Sequence, residues 1–394
     1  MSLNNTPSSE RLHIGIFGKR NAGKSSLINA LTGQSLAIVS DVKGTTTDPV
    51  LKSMELLPLG PVVIIDTPGL DDEGELGNLR IQKAYQMLNK TDIAILVVDA
   101  SVGMTAEDER ILNRIKDKEI PHTIVMNKSD LLNNTDAPAS DTLFVSAVNN
   151  KGIFELKQKL GTLIPREDKS KTIVGDLINP MDFIVLVIPV DKAAPKGRLI
   201  LPQQQTIRDI LDHNAVSIVV KDSDLKDTLN KLGQKPALVI TDSQVFAKVS
   251  KDVPEDVPLT SFSILFAKYK GDLKTVVHGA RALDTLNDGD TILISEGCTH
   301  HRQCGDIGTE KLPKMLSTHS GKNLHFEFTS GTEFSHDVDK YKLIIHCGGC
   351  MLNDREMKYR LKCAEDAGIP ITNYGTAIAH MTGILDRCVK LFHL

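Results

Sequence analysis

Short continuous runs of apolar residues recur along the chain and alternate with stretches of helical periodicity. Such runs are typical of strands buried inside a sheet, and helices between them predict α/β units. In the first part of the chain we predict strands at His13–Phe17, Pro61–Ile65, Ala94–Val98, Thr123–Met126 and Leu143–Val145. A helical pattern over Ser26–Leu31 follows the first strand.

The same alternation starts twice more after the polar stretch Pro165–Lys171, which we interpret as a linker. In the middle segment we predict helices at Gln205–Asp212 and Leu225–Leu232, and strands at Phe183–Val190, Ser217–Val220, Ala237–Thr241 and Ser261–Phe266. In the last segment we predict helices at Asp272–Leu286, Asp354–Ala367 and Thr376–Leu391, and strands at Thr291–Ser295, Asn323–Phe328, Lys342–Ile345 and Pro370–Thr372.

A chain of 394 residues is too long for a single compact core. We therefore predict an α/β protein of three domains, at residues 1–168, 169–266 and 267–394. The middle domain shows no phosphate loop and no catalytic cluster. Its expected role is packing or self-association, for which a symmetric dimer is the commonest arrangement.

Composition and charge narrow the possible partners. The net charge is −4, aromatic residues make up 4% of the chain and tryptophan is absent, so no basic stacking surface for nucleic acid is expected. No apolar run approaches the length of a membrane span, and the first ten residues lack an apolar signal region. A cytoplasmic protein is the expectation.

The segment Gly18–Ser25 (GKRNAGKS) connects the first strand to the first helix and has the pattern G-x-x-x-x-G-K-S. In this setting glycines let backbone N–H groups surround phosphates, and the helix amino terminus adds positive partial charge. Lys24 is expected to reach the outer phosphates, and the Ser25 hydroxyl to ligate Mg²⁺. The predicted phosphate-binding residues are Asn21, Ala22, Gly23, Lys24, Ser25 and Ser26.

Two further motifs each begin directly after a predicted strand. In Asp66–Gly69 (DTPG), Asp66 is expected to hold the Mg²⁺ shell and the Gly69 N–H to meet the γ-phosphate. In the second motif, NKSD, the Asp130 carboxylate accepts both N–H donors of guanine, which adenine lacks, so GTP is favoured over ATP. The predicted base-binding residues are Asn127, Lys128, Asp130, Ser146 and Ala147.

The order and spacing of these motifs resemble the TrmE/Era-like GTPases, and that resemblance implies a Ras-like mixed sheet. Gly44–Asp48 (GTTTD) looks like the first switch of the group, which implies that Thr46 is the second Mg²⁺ ligand; members usually have arginine where Thr47 stands. Asn21 matches the asparagine that coordinates K⁺ in the potassium-activated members. A K⁺ ion there would stabilise transition-state charge as an arginine finger does.

The residue after the DTPG motif is Leu70, where a glutamine could orient water, so slow unaided hydrolysis is expected. We therefore predict a GTP/GDP switch. The residues expected to carry hydrolysis are Lys24, Thr46, Asp66 and Gly69.

All six cysteines lie beyond residue 297, which favours a metal site in the last third of the chain over a disulfide framework. Cys298 and His300 follow one predicted strand, and His346, Cys347 and Cys350 follow another after 45 intervening residues. Ligands gather at the edge where the carboxyl ends of parallel strands meet. The remaining cysteines, Cys304, Cys363 and Cys388, are interpreted as ordinary small residues, with Cys304 kept as an alternate ligand.

The residue pattern by itself leaves three interpretations open. Cys298, His300, Cys347 and Cys350 would complete a tetrahedral zinc site. Three of these residues, the cysteines, would hold a [4Fe–4S] cluster and leave one iron with an exchangeable ligand. Alternatively, Cys347 and Cys350 would form a redox-active C-x-x-C pair.

The three-part order of the chain resembles the [FeFe]-hydrogenase maturation GTPases, the HydF family. The resemblance covers essentially the whole chain and is most specific at Ala194–Pro202 (APKGRLILP), Cys298–Gly308 (CTHHRQCGDIG) and His346–Cys350 (HCGGC). It implies a middle domain that forms a homodimer and a third domain that binds a [4Fe–4S] cluster. It also implies a scaffold that receives a transient di-iron subcluster from two radical-SAM enzymes and delivers it to apo-[FeFe]-hydrogenase.

Carried onto this chain, the resemblance implies Cys298, Cys347 and Cys350 as cluster ligands, with His300 and His346 as the motif histidines. A histidine beside thiolates is often a neighbour that tunes the metal and does not ligate it. The fourth position therefore stays open between His300, His346, Glu296 and water. The alternatives are a ribosome-assembly or tRNA-modification GTPase with a structural zinc tail, and a redox-sensing GTPase.

Overall fold

The apolar runs form the strands of three sheets, because a continuous hydrophobic strand is stable where both of its faces are covered. The structure is a computed structural model that describes residues 6–33, 49–69, 83–132, 141–164, 171–190, 199–297, 306–331, 334 and 337–394. The chain divides into two compact units, Met1–Glu167 and Asp168–Leu394.

The first unit is a six-stranded sheet with helices on both faces. Its strands are β1 (Leu12–Phe17), β2 (Val50–Leu56), β3 (Gly60–Asp66), β4 (Ile93–Asp99), β5 (His122–Asn127) and β6 (Thr142–Phe144). Its helices are α1 (Lys24–Thr32), α2 (Ala106–Asp117) and α3 (Ile153–Thr162), and residues 83–88 are also helical. The strand order is β2-β3-β1-β4-β5-β6, and β2 runs antiparallel to β3 whereas the other pairs are parallel. The prediction of a Ras-like mixed sheet is confirmed.

The second unit begins with a four-stranded parallel sheet in the order β10-β9-β7-β8. Its strands are β7 (Phe183–Val187), β8 (Val216–Val220), β9 (Leu238–Thr241) and β10 (Leu259–Ser261). The helices that accompany it are α4 (Leu201–Asp212), α5 (Leu225–Lys231), α6 (Phe246–Asp252) and α7 (Phe262–Lys270).

The predicted strand at Ser261–Phe266 is wrong, because this segment is the start of helix α7. Ser261 is the N-cap, and its hydroxyl accepts a hydrogen bond from the Ile264 N–H at 3.2 Å. The apolar run is continuous because the helix is buried on most of its circumference, and such a pattern does not distinguish a buried helix from a buried strand.

The second unit continues with a third sheet, also parallel, in the order β12-β11-β13-β14. Its strands are β11 (Thr291–Ser295), β12 (His325–Thr329), β13 (Leu343–His346) and β14 (Ile371–Asn373). Its helices are α8 (Leu273–Arg281), α9 (Leu312–Ser320), α10 (Asp354–Asp366), α11 (Tyr374–Met381) and α12 (Leu385–Val389). A π-helical turn, Ile307–Lys311, leads into α9.

The two sheets of the second unit share a hydrophobic core. One cluster of buried side chains contains Val185 and Val239 from the first of these sheets together with Ile292 and Leu343 from the second. The predicted boundary between residues 266 and 267 lies inside this unit, within helix α7. In the part of the chain that the structure describes, no helix is long and apolar enough to cross a membrane.

Candidate functional site

The phosphate loop follows β1, and two glycines allow its path. Gly18 has φ +144°, and a Cβ there would lie 2.2 Å from the Val97 carbonyl oxygen. Gly23 has φ +89°, and a Cβ there would lie 2.2 Å from the amide nitrogen of Asn127. Any side chain at either position would collide with the neighbouring strand end, so the sequence requires glycine at both.

Lys24 is the first residue of α1 and its side chain turns back over the loop. Its ammonium donates hydrogen bonds of 2.8 Å to the carbonyls of Gly18 and Lys19. This position at the mouth of a helix amino terminus suits a cation that contacts the outer phosphates of a nucleotide.

Asn127 joins the phosphate loop to the base-binding loop. Its amide nitrogen donates to the Ala22 carbonyl at 3.0 Å, and its amide oxygen accepts from the Ala147 N–H at 3.1 Å. One buried side chain therefore fixes the two segments that the sequence assigns to phosphates and to base.

Lys128 follows Asn127 with φ +63° and pairs with Asp99 at 2.6 Å. Burial opposes ionisation of Asp99, but hydrogen bonds from Lys128 and Ser101 outweigh it and lower the pKa of this carboxyl. Asp130 follows in a short 3₁₀ turn and is exposed, as required of a group that meets a nucleotide base.

Asp66 ends β3 beside Ile16 of β1, and this register places its carboxyl next to the phosphate loop. Burial raises the pKa of Asp66, and the positive charges of Lys24 and Lys52 partly offset that effect. Gly69 approaches the loop closely, since a Cβ there would lie 2.9 Å from the Cβ of Arg20. A carboxylate held near a buried lysine is a chemically suitable partner for a hydrated Mg²⁺ ion.

Ser146 is buried after β6 and pairs with Lys151 across an isolated bridge, and its hydroxyl accepts from the Asn149 N–H at 3.3 Å. Several of the predicted residues lie outside the described part of the chain. These residues are Thr46, Leu70, Cys298, His300 and Cys304.

The cysteine-bearing loops follow β11 and β13, which are neighbours. Ser295 pairs with His346, and His346 pairs with Asn373, so three strand ends lie side by side. The chain passes from β11 to β12 on one side and then to β13 on the other. The carboxyl ends of β11 and β13 therefore form the switch point of the sheet, where loops diverge and leave a crevice.

A hydrogen bond to sulfur joins the described residue after Glu296 to the C-x-x-C loop. The Gly297 N–H, directly before Cys298 in the chain, donates to Cys347 Sγ at 3.0 Å, and the Gly349 N–H donates to the same sulfur at 3.5 Å. Cys347 and Cys350 are both partly buried. Burial raises the pKa of Cys350, and the charge of Lys270 partly offsets this increase.

Lys270 is a residue of this site that sequence reasoning missed. It is the last residue of α7, it is buried, and its ammonium donates to the carbonyls of Leu352 at 2.9 Å, Cys350 at 3.3 Å and Gly349 at 3.4 Å. A lysine at a helix end is usually a surface residue that complements the helix dipole. Nothing in the local sequence therefore indicates its contact with a loop about eighty residues away.

His346 has a hydrogen-bonding partner on each ring nitrogen. Its Nε2 lies 2.9 Å from Arg360 Nη1, and its Nδ1 lies 2.6 Å from the Cys347 carbonyl. Arginine is always a donor, so Nε2 accepts and Nδ1 carries the proton. Burial, together with the charge of Arg360, lowers the pKa of His346 to about 3, which keeps the ring neutral.

Arg360 itself is fully buried, and its Nε and Nη2 both donate to one oxygen of the Glu356 carboxylate, at 2.9 and 2.8 Å. It also donates to the Ser295 hydroxyl at 3.1 Å and to the Gly331 carbonyl at 2.7 Å. The guanidinium thus ties α10 to the ends of β11 and β13.

Glu296 is buried directly after β11, and the Tyr374 hydroxyl donates to its carboxylate at 3.4 Å. Burial, followed by the charge of Glu296, raises the pKa of Tyr374. Away from this edge, Cys388 is fully buried in α12, and burial raises the pKa of its thiol to about 12. Cys363 lies in α10, half-buried.

Family models match three successive parts of the chain. Residues 13–128 match a model described as 50S ribosome-binding GTPase. Residues 173–271 match the hydrogen maturase F dimerization domain, and residues 274–391 match the hydrogen maturase F tetramerization domain. The two latter models support self-association, and a tetramer goes beyond the homodimer expected from the sequence.

Curated relatives match the first unit. A tRNA modification GTPase MnmE from Chromobacterium violaceum is 38% identical over 160 residues, which is 39% of this chain and 35% of the relative. A GTPase Der from Kosmotoga olearia is 34% identical over 170 residues, which is 38% of each chain. The chain thus spans little more than a third of the length of the curated relatives that it matches.

Among solved structures, Era from Aquifex aeolicus bound to GDP and aluminium fluoride superimposes with a TM-score of 0.35. The identity is 21%, over 53% of this chain and 92% of that chain. The family models and the curated relatives confirm the prediction of a GTPase domain. Because both segments of the second unit match models of one maturase, the chain belongs to the hydrogen maturase F family.

Proposed function

We propose that this chain is a GTPase and a [4Fe–4S] scaffold that receives a di-iron subcluster precursor and delivers it to apo-[FeFe]-hydrogenase. The observation that carries the proposal is the hydrogen bond from the Gly297 N–H to Cys347 Sγ. It brings the backbone next to Cys298 against the C-x-x-C loop, at the switch point of the third sheet.

The donor set of this edge fits an iron–sulfur cluster. Thiolates are the usual ligands of such clusters, and hydrogen bonds to sulfur are among the factors that set their potential. Cys347 Sγ already accepts two backbone N–H groups, which favour the thiolate form required for metal binding. Cys298, Cys347 and Cys350 would hold the cluster, and a three-thiolate cluster supplies one iron whose remaining ligand can be exchanged.

A buried cation, Lys270, suits an anionic metal centre at this site. Its ammonium holds the C-x-x-C loop through three carbonyls, whereas the charge of Arg360 behind His346 is balanced by Glu356. Several thiolates on one metal centre carry excess negative charge, and a nearby buried cation stabilises that charge strongly in a low-dielectric site. For the fourth position we favour His300, Glu296 or water over His346, whose two ring nitrogens have protein partners.

The first unit would provide the switch. We propose that GTP and Mg²⁺ bind through the phosphate loop, Asp66 and the NKSD motif, with Thr46 as the second magnesium ligand and K⁺ held by Asn21. GTP binding and hydrolysis would then regulate the exchange of partners, which are two radical-SAM enzymes that supply the cargo and the apo-hydrogenase that receives it.

The tRNA-modification alternative has support only from the first unit. Residues 173–391 match models of a hydrogen maturase, and this favours metallocluster assembly over a structural zinc tail.

A transfer experiment tests the function directly. Reconstituted protein would be exposed to the two radical-SAM enzymes, re-isolated and mixed with apo-[FeFe]-hydrogenase, with hydrogen evolution as the readout. We expect activation by the wild type and none by Cys347→Ala, whereas Cys363→Ala should activate normally. Equal activation by wild type and Cys347→Ala would contradict the proposal.

A further inference from the structure

Asp284, His319 and His380 form a compact polar cluster on the surface of the third sheet's helices. His319 Nε2 lies 3.0 Å from one oxygen of Asp284, and His380 Nε2 lies 3.0 Å from the other. The two imidazole rings are 5.7 Å apart between centroids, at an angle of 66°. One carboxylate thus contacts two imidazoles, which lie on two different helices.

The cluster lies at the amino ends of the strands, the opposite edge of the sheet from Cys347 and Cys350. His319 is near the carboxyl end of α9, and His380 is near the carboxyl end of α11. Asp284 lies in the 3₁₀ turn Ala282–Thr285, which precedes β11. Helices that follow strands in a parallel sheet run back toward the amino ends of those strands. Helix α11 starts at Tyr374, directly after β14, and its axis carries His380 about 9 Å away from that strand end.

The three groups have the chemistry of a transition-metal site. Two imidazoles and one carboxylate are a common set of protein ligands for Zn²⁺, with a fourth position left to water. Their ligand atoms all lie within 4.8 Å of one another. Zn²⁺ is bound at about 2.0–2.2 Å from such ligand atoms. To bind it, the three side chains need only rotate so that their ligand atoms face one ion and no longer face each other.

Two features favour a metal site over a purely structural contact. Both imidazoles use Nε2, and they converge on the two oxygens of one carboxylate, so a cation placed between the three side chains would replace the two hydrogen-bond protons. The site is also accessible, because Asp284 and His319 are exposed and His380 is partly exposed.

We propose that Asp284, His319 and His380 form a second metal site, distinct from the cysteine edge, that binds one divalent transition-metal ion with the ligand preference of Zn²⁺. Nitrogen donors favour Zn²⁺ over Mg²⁺, which prefers oxygen ligands. Binding would fasten α9 and α11 to the turn before β11.

The test uses untagged protein in the Cys347→Ala/Cys350→Ala background, which removes the C-x-x-C thiolates. Zn²⁺ would be titrated by calorimetry, in competition with a chromophoric chelator. We expect one strong Zn²⁺ site per chain, a binding constant at least about 100-fold weaker in His319→Gln/His380→Gln, and no effect of Mg²⁺. His278→Gln, on α8 in the same segment, is the matched control and should bind Zn²⁺ like its parent.

Folding is checked separately by thermal unfolding in the presence of a chelator. The isosteric Asp284→Asn variant keeps the shape of the site and provides a second comparison, and it should lose the Zn²⁺-dependent increase in unfolding temperature. If the parent and both variants bind Zn²⁺ equally, or the parent shows no strong site, the cluster is a structural contact only and the proposal is wrong.

Discussion

The guanidinium of Arg360 donates to Nε2 of His346 over 2.9 Å, in an environment where the two side chains are 0% and 1% exposed. This contact fixes the tautomer of the histidine, so its other nitrogen donates to the Cys347 carbonyl. The histidine of the HCGGC motif therefore orients the backbone of Cys347 from behind. Direct ligation of iron by His346 would cost one of these two buried hydrogen bonds.

The first prediction concerns His346. In His346→Gln the amide oxygen can still accept from Arg360, but the amide is a poor iron ligand. We expect iron and sulfide to stay at about four per chain after anaerobic reconstitution, because the cysteines remain. Pulsed EPR of the reduced cluster measures whether a nitrogen is bound to iron, with His300→Gln as the parallel variant. Loss of a bound-nitrogen coupling in His346→Gln alone would contradict the assignment.

The second prediction concerns Lys270. Its ammonium donates to three carbonyls of the C-x-x-C loop, and Lys270→Met removes all three bonds from a buried position. We expect a loss of about 1.5–3 kcal/mol in the free energy of unfolding, since hydrogen bonds to a charged group contribute on this scale. Release of iron to a ferrous chelator should also accelerate.

The matched control for Lys270 is Lys274→Met, an exposed lysine on the next helix. Denaturant unfolding and the chelator assay would be run on both variants. Equal effects of the two substitutions on stability and on iron release would show that Lys270 does not position the C-x-x-C loop.

The third prediction concerns base selection. Asp130→Asn replaces an acceptor of two guanine N–H groups by an amide that can accept from only one of them and opposes the other with its own N–H, whereas the 2-carbonyl of xanthine would accept from that N–H. We expect GTP affinity to fall about 10- to 100-fold, the range expected for a lost charge-assisted hydrogen bond, while xanthosine triphosphate should bind more tightly. Fluorescent nucleotide titration measures both affinities. Asp117→Asn on α2 is the control, and equal GTP affinity in the two variants would argue against the assigned base contact.

The fourth prediction concerns potassium. Asn21 has φ +60°, so glycine is the substitution that removes the amide without backbone strain. We expect the wild type to hydrolyse GTP faster in K⁺ than in Na⁺ at equal ionic strength. In Asn21→Gly the two rates should be equal and close to the wild-type rate in Na⁺. The potassium assignment is wrong if the wild type shows no difference between the two salts.

The local setting of the phosphate loop is predictable because such a motif depends on a few neighbouring residues. Gly18–Ser25 requires only a strand before it and a helix after it, and both are present. Long-range contacts were not predictable in this way. Lys270 and Arg360 acquire their roles only when α7 and α10 pack below the cysteine loops, and neither lies in a recognisable motif.

The apolar run at Ser261–Phe266 predicts a strand, but a helix buried on most of its faces has no amphipathic period either. The alternation of strands and helices predicts a separate domain from residue 267, and this division stays a prediction. Val239 and Ile292, from the two sheets of the second unit, lie in one buried cluster, and packing of this kind is invisible in periodicity.

Whether the chain binds a [4Fe–4S] cluster is decided by its iron and acid-labile sulfide content after anaerobic reconstitution, with an EPR spectrum after reduction. We expect about four irons and four sulfides per chain in the wild type and in Cys363→Ala, with a reduced-cluster signal that Cys347→Ala loses. One zinc per chain with no cluster signal, or an identical signal in wild type and Cys347→Ala, would contradict it.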